Sequence, residues 1–135
     1  MAVTANSIVT PQAPKSAMIG VTTANTTFTT SPTNTQLLLT AGANGARVVR
    51  IFAIPLETVT ANFLQVYRSI DAGVTKYLAA SATGGSDTVS GTDGSTVVDF
   101  GLSEDNAMFL QANERLYVAT GITKNYNFIA EYADY

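Results

Sequence analysis

Residues 69–75 place a hydroxyl, a carboxylate, a glycine and a second hydroxyl at alternating positions, Ser69-x-Asp71-x-Gly73-x-Thr75. Short polar side chains at this spacing reach the backbone N–H groups of a tight turn, and glycine supplies a φ that other residues avoid. That chemistry organises the chain's own backbone and turns over no substrate. A second polar stretch, residues 84–99, offers Asp87, Asp93 and Asp99 as oxygen ligands of the kind calcium takes. Their spacing fails the alternating ligands, fixed glycine and closing Glu of an EF-hand, so the stretch reads as a solvated loop. Glu104 and Asp105 are adjacent, and on a strand they point to opposite faces and cannot work as a pair. The chain has no His, no Cys and no Trp. A Ser-His-Asp triad, a His-ligated zinc, thiolate chemistry and a disulfide framework are therefore excluded.

A chain of 135 residues is long enough for one domain with a single core. Hydrophobic residues make up 46% and charged residues 13%, against roughly 25% charged in an average soluble domain. Thr, Ser, Asn, Ala and Gly replace the missing charge, a composition suited to packing against copies of itself or against a partner. The net charge is -3, yet no Asp or Glu precedes Glu57, and Lys15, Arg47 and Arg50 are the charges upstream of it. The first third is thus weakly positive and would suit an acidic partner surface. A basic stripe with interleaved aromatics is absent, so no nucleic-acid partner is expected. No charged leader followed by an apolar run opens the chain, and no stretch approaches the ~18 apolar residues of a membrane span. A soluble, unprocessed chain with no membrane partner is expected.

The elements that would position these groups are strands. Residues 1–17 carry Pro11 and Pro14 and no sustained period, and are expected to form an extended N-terminal arm. Residues 18–135 are expected to fold as one antiparallel β-sandwich or jelly-roll-like domain, all-β, because short alternating runs recur between turn signals. In residues 46–54, strict alternation would put Arg47, Val49, Ile51 and Ala53 on one side and Val48, Arg50, Phe52 and Ile54 on the other. In residues 62–70, Leu64, Val66 and Arg68 oppose Phe63, Gln65, Tyr67 and Ser69. The one helical turn expected is at residues 103–107, where Ser103 would cap and Glu104 and Asp105 favour a helix N-terminus. Most aromatics fall at core positions. Tyr126, Tyr132 and Tyr135 crowd the C-terminus, where core or strand-edge packing competes with a sugar-stacking or subunit-contact patch.

Two resemblances bear on function. Residues 69–75 resemble the Asp-box of sialidase-type propellers, but Lys76 stands where an aromatic usually follows and the motif occurs once. A propeller needs several blades of about 40 to 50 residues, so the motif reads as a hairpin turn. The blocks "NGARVVRIFAIPLETVTANFLQVYRSIDAGVTKYL", "VDFGLSEDNAMFLQANERLYVATG" and "AEYADY", spread over residues 44–135, resemble small structural proteins of tailed bacteriophages. This resemblance implies a virion protein, most like a capsid decoration (cement) protein. Such a protein would be β-rich, made in the bacterial host cytoplasm, and bound to the major capsid protein on the outer capsid surface, with a homotrimer favoured. It would have no catalytic residues and no cofactor. Val3, Ile8, Val9, Pro11, Pro14, Lys15, Arg47 and Arg50 are the candidates for capsid or subunit contact. The alternatives are a carbohydrate-binding or receptor-binding β-sandwich module, a head-tail or tail component, and, with least support, a small glycan hydrolase needing two carboxylates across one cleft.

Overall fold

The computed structural model describes residues 13–135. Nine strands follow in order: β1 (Ala13–Val21), β2 (Gln36–Thr40), β3 (Ala46–Pro55), β4 (Asn62–Ser69), β5 (Tyr77–Gly84), β6 (Val98–Asp99), β7 (Met108–Leu110), β8 (Arg115–Ala119) and β9 (Tyr126–Asp134). They form two antiparallel sheets. The first has the order β1-β9-β3-β6, with β7 also on β3, and the second has the order β2-β8-β4-β5. Successive strands from β1 to β4 alternate between the sheets, and β8 and β9 return to sit beside the earliest strands. This is a jelly-roll-like β-sandwich.

Strand alternation builds the core. From the second sheet, Leu64, Val66, Leu116 and Val118 are fully buried, and from the first Val48, Ile51, Ala53, Phe128 and Ala130 meet them. Each large aliphatic or aromatic side chain enclosed this way contributes about 1.5–3 kcal/mol.

The expected faces of β3 are corrected by a β-bulge. Val48 pairs with Tyr132 and Arg50 with Glu131, so Val49 has no partner on β9. The extra residue reverses the alternation: Ala46, Val48, Ile51 and Ala53 are all buried. Arg47 and Arg50 consequently share the outer face instead of opposing each other.

The N-terminal boundary also moves. β1 pairs with β9 from Ala13↔Asp134 to Val21↔Tyr126, so residues 13–17 belong to the sheet and not to an arm. Pro14 is accommodated because β1 is an edge strand, where one row of backbone groups has no ladder partner. Val3, Ile8, Val9 and Pro11 lie outside the described residues. At residues 103–106 the chain closes a tight turn, with Ser103 and Asn106 exchanging backbone hydrogen bonds (3.3 and 3.2 Å), where a helical turn was expected.

The two outer faces differ. Residues 22–35 cross the outside of the second sheet. There Asn25 Nδ2 donates to Gln65 Oε1 (2.8 Å) and to the Tyr67 hydroxyl (3.1 Å), and Lys76 N donates to Thr30 O (3.0 Å). Phe28 meets Phe63 edge to face at 5.4 Å. Gln65 and Tyr67 are therefore fully buried although they point away from the core. No such segment among the described residues covers the first sheet.

Candidate functional site

The uncovered face of the first sheet carries an open groove of about 600 Å³, to which Pro14, Lys15, Arg47, Glu104, Glu131 and Tyr132 contribute. Three of the sequence candidates, Pro14, Lys15 and Arg47, thus come together from two strands that are not adjacent. Arg50 adjoins them through Glu131. The bulge at Val49 is what makes this possible, since regular alternation would send one arginine to the other side.

Every cation of the groove meets an acid from later in the chain. Arg47 Nη1 lies 3.1 Å from Glu104 Oε2, and its guanidinium sits 6.0 Å from the Phe109 ring. Arg50 reaches Asp99 (3.4 Å) and Glu131 (3.3 Å) while stacking on Phe52 at 4.1 Å. Lys15 Nζ donates to Asp134 Oδ2 at 2.6 Å, and Asp134 Oδ1 accepts the Gly42 N–H at 3.0 Å. The hydrogen bond and charge of Asp134 raise the Lys15 pKa. The positive charges of Lys15, Arg47 and Arg50 are therefore paired with acids on folding. The exposed pairs of Arg47 and Arg50 add little stability. They do fix the orientation of the guanidinium planes over Phe52 and Phe109.

Beyond the charged groove the same face turns apolar. Met18, 69% exposed, pairs in register with Ile129, which pairs with Phe52. Ile129, Phe52 and Ile54 are half-buried.

The other sequence candidates resolve into structural roles. Residues 69–75 form the β4–β5 turn: Ser69 Oγ donates to Asp71 Oδ1 (2.8 Å), Gly73 N donates to Ser69 Oγ (2.8 Å), and Thr75 N donates to Asp71 Oδ1 (2.9 Å). The Thr75 N–H and, after it, the Ser69 hydroxyl lower the Asp71 pKa. Gly73 has φ +89°, and a Cβ there would lie 2.3 Å from the Tyr117 hydroxyl. In the loop of residues 84–99, Asp87 Oδ2 accepts the Thr96 N–H (2.7 Å) and Asp99 Oδ1 accepts the Gly101 N–H (2.8 Å). Among the described residues no three His, Cys, Asp or Glu side chains gather as metal ligands. The C-terminal tyrosines separate: Tyr126 is buried and its hydroxyl accepts from Asn62 Nδ2 (2.8 Å), while Tyr132, half-buried, borders the groove and packs against the core.

Two features escaped sequence reasoning. One is the Asn25–Gln65–Tyr67 network, whose only trace is a polar Gln flanked by Val, Leu and Tyr. The other is Glu114, 3% exposed and clasped by Arg68. Among the described residues, every buried side-chain nitrogen and oxygen has a partner, and no helix is long and apolar enough to cross a membrane.

No family model matches the chain, and no curated protein matches it. Among solved structures it is similar to Eiger TNF from S. frugiperda, with 11% identity and a TM-score of 0.51. The match covers 93% of this chain and 96% of that one. At that identity the likeness speaks for the fold alone, and it agrees with the strand order: the chain is a jelly-roll-like β-sandwich.

Proposed function

We propose that this chain is a non-enzymatic structural protein of a phage virion, which docks on the outer capsid surface as a homotrimer and stabilises the shell. The observation that carries the reading is the asymmetry of the two outer faces. One is sealed by residues 22–35, and the other presents Met18, Ile129 and Phe52 beside a charge-balanced groove. The sequence blocks of residues 44–135 support the phage assignment by resemblance. The partner would be the major capsid protein, and the protein would be made in the host cytoplasm and reside on the capsid surface. Binding, multiplied by the symmetry of shell and oligomer, is the whole mechanism: individually weak contacts gain from avidity.

A carbohydrate-binding or receptor-binding module is the second reading, with the open groove as its site. The deciding experiment mixes the purified protein with undecorated capsids and counts bound copies. Met18→Asp is expected to lower occupancy at least tenfold with an unchanged melting curve. Unchanged occupancy would remove this face from the docking surface, and saturable glycan binding would favour the second reading.

A further inference from the structure

The four sheet edges are not alike. Natural sandwiches guard their edges with proline, lysine, bulges or very short strands. β1 carries Pro14 and Lys15, β6 has two residues, and β2 has five with a register break between Leu37 and Leu39. β5 has eight residues, Tyr77–Gly84, with no charge and no proline. Its one irregularity, opposite Val66 and Tyr67, leaves residues 80–84 in unbroken register with β4. Ser81 and Thr83 are exposed along this run. Beside its start stand four exposed apolar side chains, Ile70 (65%), Val74 (77%), Tyr77 (59%) and Leu78 (41%).

We propose that the β5 edge accepts residues 1–12 of a neighbouring copy as an added strand. The proposal rests on the self-association half of the function above and is independent of capsid docking. The segment has no charged side chain, as the edge has none, and carries Val3, Ile8 and Val9 to match the exposed apolar residues there. Twelve residues extend up to about 40 Å, more than enough to span a neighbour's edge. They leave the sandwich at Ala13, which pairs with Asp134, the residue that holds Gly42 beside β2. β2 is the opposite edge of the second sheet from β5. A chain's own segment would have to round the sandwich to reach its own β5, a detour that a strand from a neighbouring copy does not require. Added backbone hydrogen bonds would supply affinity, and alternate side chains the specificity. The contact is head-to-tail, the kind that closes into a ring such as a trimer.

The cysteine-free chain makes the test direct. Ser81→Cys is combined in the full chain with one cysteine at each of positions 4 to 9 in turn, followed by mild oxidation and a non-reducing denaturing gel. Ladders of covalent multimers are expected at alternate positions, because strand side chains alternate, and Thr83→Lys should abolish them. A disulfide within one chain, multimers from Ser81→Cys alone (a two-fold β5–β5 pairing), or no cross-link at any position would each overturn the proposal. Ladders in a protein that leaves capsids bare would sink the docking reading and keep this one. Decorated capsids without ladders would do the reverse.

Discussion

Arg68 closes over the carboxylate of Glu114. Its guanidinium engages both Glu114 oxygens, through Nε and through Nη2 at 3.0 Å, and also donates to Phe109 O at 2.6 Å. The Gln111 N–H adds a further bond to Glu114 Oε1 at 3.0 Å. One arginine on β4 thereby secures the segment that joins β7 to β8.

Arg68→Ala removes the partner of a carboxylate that stays buried, and is expected to cost about 3 kcal/mol. Urea denaturation measures it. The double variant Arg68→Met/Glu114→Gln should lose clearly less than the sum of the two single changes. Additive losses would show that the two groups are not coupled.

Asn25→Ala removes the amide that donates to Gln65 Oε1 and the Tyr67 hydroxyl, leaving those two bonded to each other, and takes the side-chain acceptor from the N–H groups of Thr27 and Thr33. A loss of about 1–3 kcal/mol is expected, together with faster amide exchange at Thr27 and Thr33, whose N–H groups both bond Asn25 Oδ1. Protection unchanged at those two amides would mean that the covering segment is held by other contacts.

Stability should bend with pH at both ends. Asp71 is held below its ordinary value of 3.8 by the Thr75 N–H and the Ser69 hydroxyl, and Glu57 below 4.5 by the Asn125 N–H and Lys124. Their contribution is present above those ordinary values and lost as pH falls through the folded ones. The advantage of the native chain over Asp71→Asn should therefore shrink below about pH 4. At the alkaline end, burial raises Tyr67 above 10.0, and Asp134 raises Lys15 above 10.5. Both contributions are present below these ordinary values and fade as pH rises through the folded ones. Melting temperatures across pH 2 to 12 read both limbs, and an Asp71→Asn difference that is flat with pH would contradict the acid one.

Gly73→Ala meets the Tyr117 hydroxyl at 2.3 Å and holds an L residue at φ +89°. About 1–3 kcal/mol of strain is expected. Gly91→Ala, with nothing within 4 Å of the added carbon, should change stability by no more than about 0.5 kcal/mol.

Deleting Val49 removes the unpaired residue and leaves Arg47, Val48, Arg50 and Ile51 in regular alternation on their present faces. The loss should stay below about 2 kcal/mol, whereas deleting Phe52 from the regular part of β3 turns core residues outward and should abolish folding. A comparable loss from both deletions would deny the bulge its role.

The β4–β5 turn was legible because its information is local: Ser69, Asp71, Gly73 and Thr75 bond one another and their own backbone. The strands were legible for a similar reason, since alternation and turn residues sit side by side in the chain. The faces of β3 were not. Val49 is as good a strand former as its neighbours, and only its missing partner on β9 marks it as extra. Pro14 misplaced the start of the sheet, because a proline that bars a central strand is tolerated at an edge. The pairing of the early cations was not legible either, since Asp99, Glu104, Glu131 and Asp134, which meet them, come from the later part of the sequence.

The place of β9 between β1 and β3 also sets a schedule for folding. β1 pairs with β9 alone, so the first strand of the sandwich has no sheet to join until the last has left the ribosome. Closing Ala13 onto Asp134 joins the first strand of the sandwich to the last, and such distant pairings form late and slowly. Until then the β3 edge, with Ile51 and Ala53, stands open to any passing strand. High expression temperature should favour inclusion bodies over folded protein, and slow synthesis with a chaperone present should reverse the balance.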